Sequence, residues 1–129
     1  MTEESVARET KSLESIHEIR SFVAMFKVLV WMRRREDLTP EAFRAHWLQT
    51  HAPLVQASYE GLRRYTVNPV VAVPRGEAPF DGIAEVVFDT REAFVAAVRS
   101  ETGKAVAADL ANFTRESGAV FVEEHAIVR

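Results

Sequence analysis

Few side chains in this sequence can carry a reaction, and His51 is the first of them by its setting. It stands near the end of the stretch Leu38–Tyr65, LTPEAFRAHWLQTHAPLVQASYEGLRRY, just before Ala52 and Pro53. An imidazole changes charge near neutral pH, which suits it to take and return a proton. A helix C-terminus favours its charged form and an apolar cleft opposes it, so the sequence leaves the balance open. A helix-capping or sheet-bonded histidine is the structural alternative. Tyr65 opens the strand that follows. A phenol there could orient the imidazole or donate a hydrogen bond to a developing enolate oxygen; an aromatic at that place could equally be core or interface.

The other polar candidates are weaker. His46 precedes His51 by five positions, about 140° on a regular helix, so the two rings are expected to diverge and His46 to lie at an edge. A helical metal pair wants a spacing of about four, and the remaining possible ligands, Glu85 and His125, are remote in sequence; no metal is expected. Glu123, Glu124 and His125 fall on the expected last strand, where alternation sends at least one acid toward a buried side. Glu124 is read as a salt-bridged structural acid, with a cleft or interface role as the alternative. Trp31, Trp47 and Leu54 are candidate walls for an apolar substrate, and packing residues in the plainer reading. The glycines are dispersed, so no phosphate loop forms, and a serine-hydrolase elbow is absent. The chain has no cysteine, which excludes disulfides, thiolate nucleophiles and thiolate metal sites. No cofactor is expected.

The elements that must position these groups are clearly written. Phe22 to Met32 is nearly all apolar, a strand that needs cover on both faces. Thr39 reads as an N-cap, Pro40 as the first helical residue, and Leu38 with Phe43 as a hydrophobic staple. Phe43, Trp47, Thr50, Leu54 and Ser58 follow as a stripe facing a sheet. Pro53 should disturb this helix, and Gly61 should end it. Strands are expected over Leu62–Val73, where Pro69 implies an edge or bulge, over Gly82–Phe88, and over Gly118–Val128. Thr90 should cap another helix, interrupted at Ser100–Gly103 and resuming over Lys104–Arg115 with Val106, Leu110 and Phe113. The order strand-helix-strand-strand-helix-strand implies a ferredoxin-like α+β fold, a four-stranded antiparallel sheet with its helices on one face. Several strands are apolar on both faces, so the bare face calls for a second copy of the chain.

The bulk numbers agree with one domain. The chain has 129 residues, 47% hydrophobic and 27% charged, with a formal net charge of -3. This balance gives no basic face for nucleic acid. Arg33–Arg35 is followed at once by Glu36 and Asp37 and reads as a solvated strand end. No apolar run approaches the ~20 residues of a membrane helix. Residues 1–21 are polar and acidic, not a signal peptide, and read as a helical extension preceding a domain over 22–129; Met25 is an alternative start. These features fit a cytoplasmic protein.

Several segments together resemble the EthD-like family of the dimeric α+β barrel superfamily. They are MFKVLVWMRR, then LTPEAFRAHWLQTHAPLV, then GLRRYTVN, then FDGIAEVVFDTREAF, within a likeness that covers roughly Met25 to Val128. The resemblance implies a homodimer whose two sheets close into a barrel, with a small apolar cleft between sheet and helices in each subunit. Related proteins include a methylmuconolactone methylisomerase, polyketide cyclases and cofactor-free monooxygenases. By place in the shared pattern, the isomerase's catalytic histidine and tyrosine fall on His51 and Tyr65. The leading expectation is cofactor-independent isomerisation or cyclisation of a small apolar carbonyl compound, a lactone or aromatic polyketide. The alternatives are cofactor-free oxygenation in the same cleft and a non-catalytic ligand-binding or accessory role.

Overall fold

The computed structural model describes residues 25–128; the expected extension over 1–21 and the start of the expected first strand lie outside them. Four strands form one antiparallel sheet: β1 (Phe26–Arg34), β2 (Arg64–Pro69), β3 (Gly82–Phe88) and β4 (Thr114–Val122), in the order β2-β3-β1-β4. This is the expected ferredoxin-like arrangement. The first crossover is α1 (Pro40–His46), a π-helical turn (Trp47–His51) and α2 (Ala52–Ser58); the second is α3 (Arg91–Arg99) and α4 (Glu101–Phe113). Among the described residues no helix is long and apolar enough to cross a membrane.

The start of α1 forms as its sequence implies. Thr39 accepts a hydrogen bond from the Ala42 amide at 3.1 Å and Pro40 opens the helix, satisfying a donor that the first turn would otherwise leave bare. Strand alternation then divides the sheet. Val28, Val30 and Met32 of β1, Tyr65 and Val67 of β2, and Ala84, Val86 and Phe88 of β3 face the helices, where they meet Phe43, Trp47, Ala97 and Phe113 in the core. Lys27, Leu29, Trp31, Ile83, Glu85 and Val120 take the opposite parity and the opposite face.

Several boundaries differ from the sequence reading. β2 stops at Pro69 rather than running to Val73; the Val70 amide still bonds the Asp81 carbonyl at 2.9 Å, and beyond it the chain leaves the sheet as a largely exposed loop. The helix break narrows to Ser100 alone, which ends α3 and whose hydroxyl accepts from the Gly103 amide at 3.0 Å to start α4. Gly103 is required there, since a Cβ would lie 2.0 Å from the Ala97 carbonyl oxygen. β4 begins directly at the end of α4, at Thr114, and ends at Val122. Glu123, Glu124 and His125 therefore lie past the strand and are exposed, and no acid is driven inward. Glu124 instead pairs with Lys27 at 2.7 Å, which also holds Glu85 at 2.7 Å.

Candidate functional site

The first crossover helix carries its information in an irregularity. Between Trp47 and His51 the backbone widens to a π turn, and the Ala52 amide bonds the Trp47 carbonyl, five residues back. Pro53 supplies the reason: it has no N–H for the α-helical bond to the carbonyl four residues earlier, and its ring crowds that turn. A π turn inserts one residue into the helix and is often found where function is. It also resets the buried stripe. The sequence predicts Thr50 and Leu54 facing the sheet; the structure turns His51 and Val55 inward instead, leaving Thr50 exposed and Leu54 half-buried.

His51 is 3% exposed. Its Nδ1 lies 2.8 Å from Oδ2 of Asp109, on α4. Asp109 is itself buried, and three donors converge on it: His51, His46 through Nε2 at 3.1 Å to both oxygens, and the Asn112 amide nitrogen at 2.9 Å. Burial works against the Asp109 charge, but the bonds from Asn112, His51 and His46 outweigh it and hold the carboxyl below its ordinary range. A carboxylate can only accept, so each nitrogen facing it carries a hydrogen. His51 is accordingly protonated at Nδ1. Burial pushes its imidazole below the usual histidine value, outweighing the attraction of Asp109, and His46 adds to the lowering. At neutral pH the ring is uncharged, with its lone pair on Nε2.

His51 lines an apolar cavity of about 230 Å³ between sheet and helices. Val55, Val86, Val106 and Leu110 form walls, and Tyr65 and Tyr59 bring phenols to the same space. The lining residues on α4 and β4 that are exposed, Ala107, Ser117 and Ala119, mark its open side. Burial raises the Tyr65 phenol to about 12, with Tyr59 adding to the rise and the nearby Trp47 indole lowering it. Burial raises Tyr59 as well. Both phenols thus stay protonated at neutral pH and are donors. The Trp47 indole nitrogen, fully buried, has no partner at hydrogen-bond distance among the described residues.

The structure thus brings His51 and Tyr65 into one cavity, the face of Tyr65 having been open in the sequence. It separates the expected walls. Trp31 lies on the other face of the sheet, its ring against Gly118, where a Cβ would come within 2.6 Å. Trp47 packs behind the cavity against Gly82 and Ala84. Neither it nor Leu54 lines the space; Val55 does. His46, expected to diverge from His51, reaches the same carboxylate, because the π turn between them, bonded five residues back, brings positions five apart toward one face. Glu85 and His125, the other conceivable metal ligands, stand on the opposite sheet face and in the exposed tail. Asp109 was not singled out by the sequence reading. Its signal was an acid on the inward stripe of α4, between Val106 and Phe113, a position that an unpaired charge would not occupy.

The chain's likeness to known proteins fits this geometry. The model of the EthD domain family matches residues 35–117. An EthD family protein of Bacillus halodurans shares 32% identity, the match covering 78% of this chain and 99% of that one with a TM-score of 0.67. An EthD-like protein of Ralstonia eutropha shares 26%, covering 81% and 94%, with a TM-score of 0.60. A dimeric ferredoxin-like protein of Thermobifida fusca shares 17%, covering 78% and 91%, with a TM-score of 0.61. No curated protein sequence matches the chain.

Proposed function

This chain belongs to the EthD family, and from that premise we propose that it binds a small, mostly apolar carbonyl compound beside His51 and rearranges it by proton transfer without a cofactor, as an isomerase or cyclase. One observation carries the reading: a buried, neutral imidazole with Nδ1 tied to Asp109 lines an apolar cavity that also holds a protonated Tyr65. In this mechanism Nε2 of His51 takes a proton from the carbon next to the carbonyl. The C–H electron pair moves to the carbonyl oxygen as an enolate, which accepts a hydrogen bond from the Tyr65 hydroxyl. His51 then returns the proton at another atom, or the enolate carbon attacks a second carbonyl of the same molecule, whose C=O π pair moves to its oxygen and takes the proton back from His51. Asp109 stabilises the imidazolium that forms in between, and the apolar walls keep water from competing.

A second copy of the chain completes the assembly in this reading. Leu29, Trp31, Ile83 and Val120 make an apolar strip on the sheet face away from the helices, and the Thermobifida fusca neighbour is dimeric. Sedimentation at micromolar concentration should give a dimer; a monomer would remove this part of the proposal.

The test of the chemistry is deuterium uptake from D2O into a panel of lactones and cyclic aryl ketones, read by mass spectrometry. The wild-type protein should label the carbon next to the carbonyl of at least one probe, and His51→Gln should bind the same probe with the label lost. Labelling at equal rates by both proteins would overturn the role of His51. Binding of probes with no labelling by the wild type would favour a carrier over an enzyme. Oxygen consumption with an aromatic probe would move the chemistry to oxygenation.

A further inference from the structure

We infer that His46 is a positioning residue for His51, acting through the Asp109 carboxylate that both rings share: it fixes that carboxylate and, by its own charge, sets how firmly His51 holds a proton. The inference rests on the reading of His51 as the cavity base. Nothing in that reaction uses His46, yet the structure ties it to the same group.

The geometry is specific. Nε2 of His46 stands 3.1 Å from each Asp109 oxygen, while Nδ1 of His51 takes Oδ2 alone at 2.8 Å. Asn112 holds Oδ1 at 2.9 Å. Both imidazoles pack on Phe113 with ring centroids 4.8 Å away, His46 stacked and His51 tilted, so neither is free to turn from the carboxylate. Exposure rises along the series, from 3% for the His51 side chain to 10% for Asp109 and 26% for His46. His46 is therefore the member that meets solvent, while His51 meets the cavity.

Two imidazoles on one carboxylate compete for its charge. When His46 is protonated it forms an ion pair with Asp109, and less of the negative charge remains to hold an imidazolium at His51. When His46 is neutral, the whole charge serves His51, which becomes the stronger base. The groups facing His51 from other elements do not interfere: Tyr59 and Tyr65 stay protonated across this range, and Asp109 stays ionised. Near His46, the Arg35 guanidinium bonds the Asn112 carbonyl and pairs with Asp37. The coupling is reciprocal, so the two titrations must be read as those of a pair.

Nitrogen-15 and proton NMR of the imidazoles, on the ligand-free protein between about pH 4 and 9, tests this. In the wild type, the His51 curve should depart from a single step, because a second imidazole shares its carboxylate. In His46→Gln, which keeps a donor toward Asp109 but not the charge, His51 should titrate in one step and at higher pH. A His51 curve that superimposes on the wild type would overturn the inference. Should His46→Gln fail to fold, the wild-type spectra decide alone: a one-step His51 curve overturns it, and a two-step curve supports it. Because no ligand is present, failure here is separable from failure of the proposed chemistry. Coupled titration without deuterium labelling would refute the enzyme reading and leave this one standing.

Discussion

Replacing Asp109 by asparagine removes one charge and almost no volume, so it isolates what the carboxylate contributes. Three N–H donors, from Asn112, His51 and His46, point at its two oxygens at 2.8–3.1 Å. An amide has one oxygen and brings two hydrogens of its own. With its nitrogen on the Oδ1 side it faces the Asn112 amide, a donor left bare; on the Oδ2 side it faces His51, whose ring must move its proton off Nδ1 to accept. Hydrogen bonds to an ionised group contribute about 1.5–3 kcal/mol each, and a stranded buried donor costs about 1–3 kcal/mol. With Asp109 only 9% exposed, solvent offers little relief. Asp109→Asn should therefore lose about 3 kcal/mol at neutral pH, read as a lower urea midpoint at unchanged slope. The pH dependence checks the cause. The Asp109 carboxyl is held below its unfolded value, so its contribution is complete above that unfolded value, about 3.9, and is lost as pH falls through the folded one. The gap between wild type and variant should close in that acid window. A gap under about 0.5 kcal/mol at neutral pH, or one that persists where the carboxyl is protonated, would refute the reasoning.

Other outcomes follow from the same contacts. Gly82→Ala places a Cβ 2.2 Å from the fully buried Trp47 ring; the ring must move by more than an ångström at a cost of about 3 kcal/mol or more, visible as a shift in tryptophan emission. Thr39→Ala should cost about 1 kcal/mol through the lost cap, and Phe43→Ala about 3–5 kcal/mol through the cavity left in the core, both measured by denaturant melts. Tyr65→Phe should leave fold and ligand binding intact and slow turnover by ~10²-fold or more, the usual loss when a positioned donor is removed. The buried His51, whose folded value is lowered, should make the protein less stable as pH falls below the unfolded histidine value of about 6.5; in His51→Gln this part of the slope should vanish.

The topology was legible because it depends on alternation and caps. Thr39, Pro40 and Thr90 start helices where they imply, and Gly82–Phe88 is the strand expected. His51 and Tyr65 were legible as chemistry-bearing residues at element ends. Their convergence was not, since a strand residue's face depends on a register that only the neighbouring strand sets: Tyr65 faces the helices because it pairs with Val86, which pairs with Val28. The walls were misassigned for a more local reason. A regular periodicity of about 3.6 was carried through Pro53, whereas the chain answers that proline with an added residue in the preceding turn. That residue exchanges Leu54 for Val55 and brings His46 to Asp109, while Ser58, expected on the inward stripe, is buried as expected.

That added residue gives the helix an unusual sensitivity to chain length. Shortening the segment by one residue, at Gln49 for example, would remove the added residue and leave Pro53 pressed against a tighter turn that it cannot hydrogen-bond. It would also swing everything on one side by about 100°, turning the imidazole away from both the carboxylate and the cavity. Lengthening the exposed connection between β2 and β3 by one residue would shift nothing that matters to either. The same chain should therefore accept a length change readily in one connection and refuse it in another, and the refusal would come from the segment whose added residue aims the imidazole.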